Sequence, residues 1–268
     1  MSSPYVHGYT AGEVRRLQDQ ASTLTDLLHA DTAYPAGATV LEAGCGVGAQ
    51  TLTLAALSPH AQFTSIDRSA VSLAQAQAAV AAKGLCNVVF EQADILNLRF
   101  PHQSFDHVFL CFVLEHLTRP RDVLAALKNI LRCGGTITVI EGDHGSAYFH
   151  PDSDFARKVI DCQVILQART GGDAMIGRRL YPLLVEADFS APQVSPRMVY
   201  VDATKPALVD GFIRKTFTAM IEGVRTPAIE AGLLSPSDFD RGVTDLYRTA
   251  EADGVFCYTF FKAVAVNN

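Results

Sequence analysis

Long apolar runs are missing from this chain of 268 residues. None reaches the ~18–20 residues a membrane-crossing helix needs, so no membrane partner is expected. The N-terminus, Met-Ser-Ser-Pro-Tyr-Val-His-Gly-Tyr, lacks the basic-then-apolar pattern of a secretory leader, and the expected compartment is the cytoplasm. Positive charge is scarce: 22 Lys and Arg stand against 28 Asp and Glu, for a net charge of −6. Proteins that grip phosphate backbones are usually basic, so nucleic acid is not an expected partner. The cysteines at 45, 86, 111, 133, 162 and 257 include no C-x-x-C pair and no metal-ligand spacing. Reduced thiols and no metal site are the reading. Internal repeats and low-complexity segments are also missing.

What is present begins with a hydrophobic content of 49%, enough for a substantial core in one large domain or a domain with an inserted cap. The organising stretch is 38–51, Ala-Thr-Val-Leu-Glu-Ala-Gly-Cys-Gly-Val-Gly-Ala-Gln-Thr. A β-prone run meets the acid Glu42. Gly44, Gly46 and Gly48 follow at every second position, and a helical pattern starts near Gln50. Strand, glycine turn and helix open a nucleotide-type βαβ unit. Glycine suits the turn because it accepts backbone angles a Cβ forbids and lets a ligand lie on bare peptide.

The glycines alone are ambiguous, since Gly44, Gly46 and Ala49 also satisfy the dinucleotide fingerprint. The full E-x-G-x-G-x-G run from Glu42 resembles motif I of the class I S-adenosylmethionine-dependent methyltransferases. The resemblance covers about 38–141. It takes in Asp67 closing the second strand, Asp94-Ile95 after the third, Phe-Asp near the start of the fourth, and Gly134-Gly135 before the fifth. The segment Phe112-Val-Leu-Glu-His-Leu117 looks like that of the small-molecule branch. The D-P-P-Y or N-P-P-Y motif of enzymes that methylate adenine or glutamine amides is missing there.

Pattern predicts the elements in order. An amphipathic helix covers 11–29, opened by the capping box Thr10-Ala-Gly-Glu13. Pro35-Ala-Gly37 breaks the chain before strand one. A helix over 49–57, strand Gln62–Ile66, helix Ala70–Lys83 with Gly84 at its C′ position, and strand Asn87–Glu91 follow. Strand Phe105–Phe112, a helix beginning near Pro120, and strand Thr136–Glu141 complete the series. Strands alternating with helices imply a doubly wound, Rossmann-like α/β fold. Beyond 145 the rhythm changes: helical segments at 151–170 and 173–187, a strand at 193–201, a mostly helical insertion at 204–252, and an apolar last strand Val255–Val266. The expected sheet is seven-stranded, mainly parallel with an antiparallel last strand. The expected organisation is a helical lid at 1–37, a cofactor-binding core at 38–144, and the rest of the sheet with a substrate-covering insertion at 145–268.

The resemblance assigns cofactor contacts to Glu42, Gly44, Gly46, Gly48, Gln50, Asp67, Arg68, Asp94, Ile95 and Phe112. A carboxylate at Asp67 can take both ribose hydroxyls. By the resemblance, Asp94 holds the adenine amino group and Ile95 packs on the ring. The N-terminal helix would fold over the cofactor, with Tyr9, Arg16 and Gln20 pointing inward; Arg16 and Gln20 are four apart and share a face. His144 and His116 are the candidate bases, with Glu141 and Asp143 holding the His144 proton. A solvated polar face, a turn aspartate and a surface-loop histidine are the plain alternatives for these groups.

The implied function is methyl transfer from S-adenosylmethionine to an oxygen or nitrogen of a small organic acceptor, by in-line displacement. The protein chiefly positions and desolvates the reactants. Two other readings use the same turn: a non-catalytic cofactor-binding regulator or subunit, and an NAD-dependent oxidoreductase. Oligomeric state is not legible.

Overall fold

A computed structural model describes residues 23–268. The helical reading of 11–29 survives in α1, over 23–29; its earlier part, with Tyr9, Arg16 and Gln20, lies outside the described residues.

Seven strands form one sheet in the order β3-β2-β1-β4-β5-β7-β6. They are β1 (Thr39–Ala43), β2 (Gln62–Asp67), β3 (Val88–Gln92), β4 (Phe105–Cys111), β5 (Leu131–His150), β6 (Ser190–Val201) and β7 (Val255–Val266). β1 is flanked in parallel by β2 and β4, and β4 pairs in parallel with β5. The sheet is mixed, mostly parallel with an antiparallel last strand, as expected. Its order departs from the 3-2-1-4-5-6 arrangement of dinucleotide folds because β7 enters between β5 and β6.

Local chemistry explains the crossovers. α2 (Ala49–Leu57) springs from the glycine turn. α3 (Ala70–Ala82) is capped by Ser69, whose hydroxyl accepts the Ser72 N–H, and Gly84 beyond its end has φ +66°. α4 (Pro120–Ile130) has Pro120 in its first turn, where a missing N–H costs nothing. The buried β1 residues Val40, Leu41 and Ala43 show why this strand reads as a continuous apolar run: a central parallel strand is covered on both faces.

β5 is far longer than the Thr136–Glu141 expected. Its start is extended by a bulge, across which Phe105 pairs with Leu131 but His107 pairs with Thr136. Gly134 supplies φ +78° there, and a Cβ on Gly135 would lie 2.7 Å from the Asp106 carbonyl. Its far end continues to His150 next to β7. β6 also begins earlier than expected. Pro192 and Pro196 both lie within it, tolerated because β6 is an edge strand, where a missing N–H costs no ladder bond.

The chain divides into two compact units. One comprises 28–141, 176–196 and 261–268; the other, among described residues, 23–27, 142–175 and 197–260. The first, the nucleotide-fold unit, includes α6 (Leu180–Glu186) and has a core that includes Leu41, Val108, Leu110, Leu124, Leu127 and Val139. The second contains α5 (Asp154–Arg169), α7 (Pro206–Leu208), a π-helical stretch Val209–Thr218, α8 (Ala219–Gly223), α9 (Arg225–Glu230) and α10 (Pro236–Arg248). Ser153 caps α5 by accepting the Phe155 and Ala156 N–H groups, and Ser235 caps α10. The expected helical character of 204–252 is therefore present.

Candidate functional site

The strand order reverses between β1 and β4, and the turn leaving β1 lies at that switch, where ligands bind in open α/β sheets. Gly44, Gly46 and Gly48 have φ of +83°, +54° and +80°. Their surroundings differ. A Cβ on Gly44 would lie 2.6 Å from a Val113 methyl, and one on Gly48 would lie 2.9 Å from the Ala76 Cβ. Among the described residues, nothing lies within 4 Å of a Cβ built on Gly46. The outer glycines permit close packing, while the middle one presents bare peptide to open space.

Asp67 ties this turn to the next helix. Its Oδ2 accepts the Gly46 N–H at 2.9 Å, and its Oδ1 accepts the Ser69 N–H at 2.8 Å. A carboxylate has about four lone-pair positions, so acceptor capacity remains for two hydroxyls. Arg68 is exposed, and its carbonyl accepts from the Gln92 side chain. Asp94 closes an Asx turn by accepting the Leu96 N–H at 2.9 Å, which leaves its second oxygen available. Ile95 is half-buried against the core.

Glu42 is fully enclosed. Its Oε2 accepts the Thr51 hydroxyl at 2.7 Å and the Ser65 hydroxyl at 2.6 Å. Burial pushes its carboxyl up to about 7, although both hydroxyls pull it back. It fastens α2 and β2 to the turn. Gln50 is engaged too: its Oε1 lies 2.7 Å from His29 Nε2 at the end of α1. Burial holds the His29 imidazole down at about 4.

Phe112, a predicted contact, leaves β4 with φ +57°. That left-handed geometry costs a bulky residue about 1–2 kcal/mol. The following turn, Leu114–His116, is held by Glu141, whose Oε1 accepts the Val113 N–H at 3.0 Å and the Leu114 N–H at 2.7 Å. His116 lies 3.6 Å from the Glu115 carboxylate.

This corrects the expected role of Glu141. Side chains alternate along a strand, so Glu141 and His144, three apart, project to opposite faces. The Glu141 carboxyl cannot steady the imidazole, and its bonds run to the post-β4 turn. The His144 partner is Tyr258, whose hydroxyl lies 2.7 Å from Nδ1. His144 is also buried, not a surface-loop residue, with its ring against Phe217 and Tyr258. Asp143 accepts the Gly145 N–H. Tyr258 was missed because an aromatic in an apolar strand gives no sign of its function; period two along β7 was the only available clue.

The family described as "Methyltransferase domain" matches residues 40–135. Curated relatives include an uncharacterized 37.1 kDa protein in transposon Tn4556 of Streptomyces fradiae, 33% identical over 70% of this chain and 54% of that protein. The 27-O-demethylrifamycin SV methyltransferase of Amycolatopsis mediterranei is 31% identical over 50% of this chain and 49% of its own length. The chain spans about half the length of these relatives. Among solved structures, the YcgJ protein of Bacillus subtilis aligns with TM-score 0.57 at 14% identity, covering 95% of this chain and 99% of that one. A geranyl diphosphate methyltransferase in complex with SAM aligns with TM-score 0.53 at 17% identity, covering 97% and 92%. At such identities the likeness is one of fold. The match over residues 40–135, together with these likenesses, supports a class I S-adenosylmethionine-dependent methyltransferase.

The turn fits that family's cofactor. Open peptide at Gly46, spare acceptor capacity at Asp67 and Asp94, and an apolar edge at Ile95 all lie in one compact unit.

Proposed function

We propose that this protein transfers the methyl group of S-adenosylmethionine to an oxygen or nitrogen of a small organic molecule. The observation that carries the reading is the open, positive-φ peptide at Gly46, held by the carboxylate of Asp67, the group proposed to take the ribose. Gly46 and its neighbours would receive the amino-acid and sugar portions, Asp67 the ribose hydroxyls, Asp94 the adenine amino group, and Ile95 the ring face. When bound, the cofactor supplies an activated methyl group on a sulfonium. The chain's own work is to align the acceptor and exclude water, which can contribute about 7–11 kcal/mol.

Relatives support the small-molecule class. One carries the name trans-aconitate 2-methyltransferase, and another 27-O-demethylrifamycin SV methyltransferase. Six free cysteines suit the reducing cytoplasm, where we place the protein. Tyr9, Arg16 and Gln20 remain the proposed contacts of an N-terminal lid. His144 remains the proposed base, now with Tyr258 as the group that orients its ring, and His116 the second candidate.

Calorimetry with S-adenosylmethionine and with NAD tests the cofactor. Uptake of the first and not the second is expected, and Gly46→Leu should weaken it by about a hundredfold or more by filling the open peptide face. Release of labelled methyl into a metabolite pool then separates an enzyme from a silent binder. His144→Ala should lower turnover and leave cofactor affinity intact; loss of both together, or of neither, removes His144 from the chemistry.

A further inference from the structure

Glu141 is the most completely enclosed acid of the nucleotide-fold unit, and the chemistry above makes no use of it. It is 0% exposed at the point where β5 passes the end of β4. Its Oε1 takes two successive backbone N–H groups, Val113 and Leu114. Its Oε2 is buried and makes no hydrogen bond among the described residues. The turn it grips begins at Phe112, in a left-handed conformation that bulky residues avoid. The next side chain, Val113, occupies the space a Cβ on Gly44 would need.

We propose that Glu141 is a positioning residue for cofactor uptake. It fixes the Phe112–Leu114 turn in its strained shape and so keeps Val113 seated on Gly44, at the mouth of the glycine turn. The inference rests on the reading of that turn as the S-adenosylmethionine site. Three links carry it: carboxyl to amides, amides to the Val113 backbone, and the Val113 side chain to Gly44. Without an acceptor at Oε1, two buried N–H groups lose their partner and the left-handed residue loses what holds it. Burial, with the Glu115 charge next in size, drives the Glu141 carboxyl well above the usual carboxylate range. Glu115 on the turn and Cys111 on β4 are titratable groups that feel its charge or act on it. A neutral acid still offers one carbonyl oxygen to both amides, so an amide side chain should replace it.

The test compares the full chain with Glu141→Leu, Glu141→Gln and Val113→Ala. S-adenosylhomocysteine binding is read by calorimetry, and amide exchange of Val113 and Leu114 is read against Val40 and Leu41 of β1. Glu141→Leu should weaken binding about tenfold or more. Its Val113 and Leu114 amides should exchange about a hundredfold faster while the β1 amides keep their protection. Glu141→Gln should restore both readouts. Val113→Ala should weaken binding about threefold to tenfold with the two amides still protected, and it decides the matter if the leucine variant does not fold. Parental affinity in Glu141→Leu or in Val113→Ala overturns the proposal. So does equal loss in the leucine and glutamine variants, or unchanged exchange at Val113 and Leu114. If the parent protein takes up no S-adenosylhomocysteine, the cofactor reading fails, and the exchange comparison still decides whether Glu141 holds the turn.

Discussion

The two compact units use the same residue types for different ends. In the nucleotide-fold unit the glycine turn does two things: Gly44 and Gly48 admit neighbours, while a Cβ on Gly46 would have none of the described residues within 4 Å. In the other unit three glycines admit neighbours. A Cβ on Gly242 would lie 2.5 Å from the Phe155 carbonyl, one on Gly142 would lie 2.5 Å from the Tyr258 hydroxyl, and one on Gly211 would collide with Thr23. The cores differ as well. Aliphatic side chains predominate in the first, beside the buried rings of Phe63 and Phe109, with acids such as Glu42 and Glu141 enclosed among them. Rings fill the second: Phe212, Phe217, Phe256, Tyr258 and Phe260 lie with centroids 4.7–6.3 Å apart. A sheet that binds a nucleotide needs bare peptide and fixed carboxylates at its strand ends, and any aliphatic filling will support them. An aromatic core is shaped ring by ring, so it carries what is particular to this chain.

The largest expected effect lies in the aromatic unit. Phe217 is 2% exposed and has ring partners in Phe256 at 4.7 Å and Tyr258 at 5.5 Å. Phe217→Ala should cost about 3–5 kcal/mol in urea unfolding, the range for a large cavity in a rigid core. A loss below about 1 kcal/mol would mean the rings repack, and would break the contrast between the two cores.

Next comes a pair of opposed titrations in the nucleotide-fold unit. Glu42 is raised from 4.5 to about 7, so the folded state holds its proton more tightly. Its contribution is full below pH 4.5 and is lost as pH rises towards 7, by about 3 kcal/mol. His29 is lowered from 6.5 to about 4, so its contribution is full above pH 6.5 and is lost as pH falls towards 4. Its size is again about 3 kcal/mol. The two nearly cancel in the parent. Relative to the parent, Glu42→Gln should gain stability as pH rises through this window, and His29→Asn should gain it as pH falls. Urea midpoints at pH 4.5, 5.5 and 6.5 read both; difference profiles that stay flat, or slope the other way, refute the assignment.

The smallest effect separates two glycines of one turn. Gly46→Ala meets only its positive φ, about 1–2 kcal/mol. Gly48→Ala meets a similar angle and also the Ala76 methyl at 2.9 Å, adding about 1–3 kcal/mol of overpacking. Equal melting temperatures for the two variants would mean Gly48 is not wedged against α3.

Much of the nucleotide-fold unit could be read in advance because its signals are local. Ser69 before α3, Gly84 after it and Pro120 opening α4 fix the element ends through backbone chemistry that one or two residues decide. The extent of β5 could not be read, because a bulge at Gly134-Gly135 and pairing beyond Glu141 depend on which strands lie alongside. The partner of His144 was hidden for the same reason: Tyr258 is 114 residues away.

By itself the sequence determined a strand, a glycine turn and a helix with acids at the ends of the next strands, since dihedral freedom and strand termini follow from residue type and order. Only the tertiary structure decided which glycine faces open space, that Glu141 serves the post-β4 turn and not His144, and that β7 enters between β5 and β6. Those outcomes depend on what stands next to each group across the sheet. Contacts between residues distant in the chain leave no periodic trace along it.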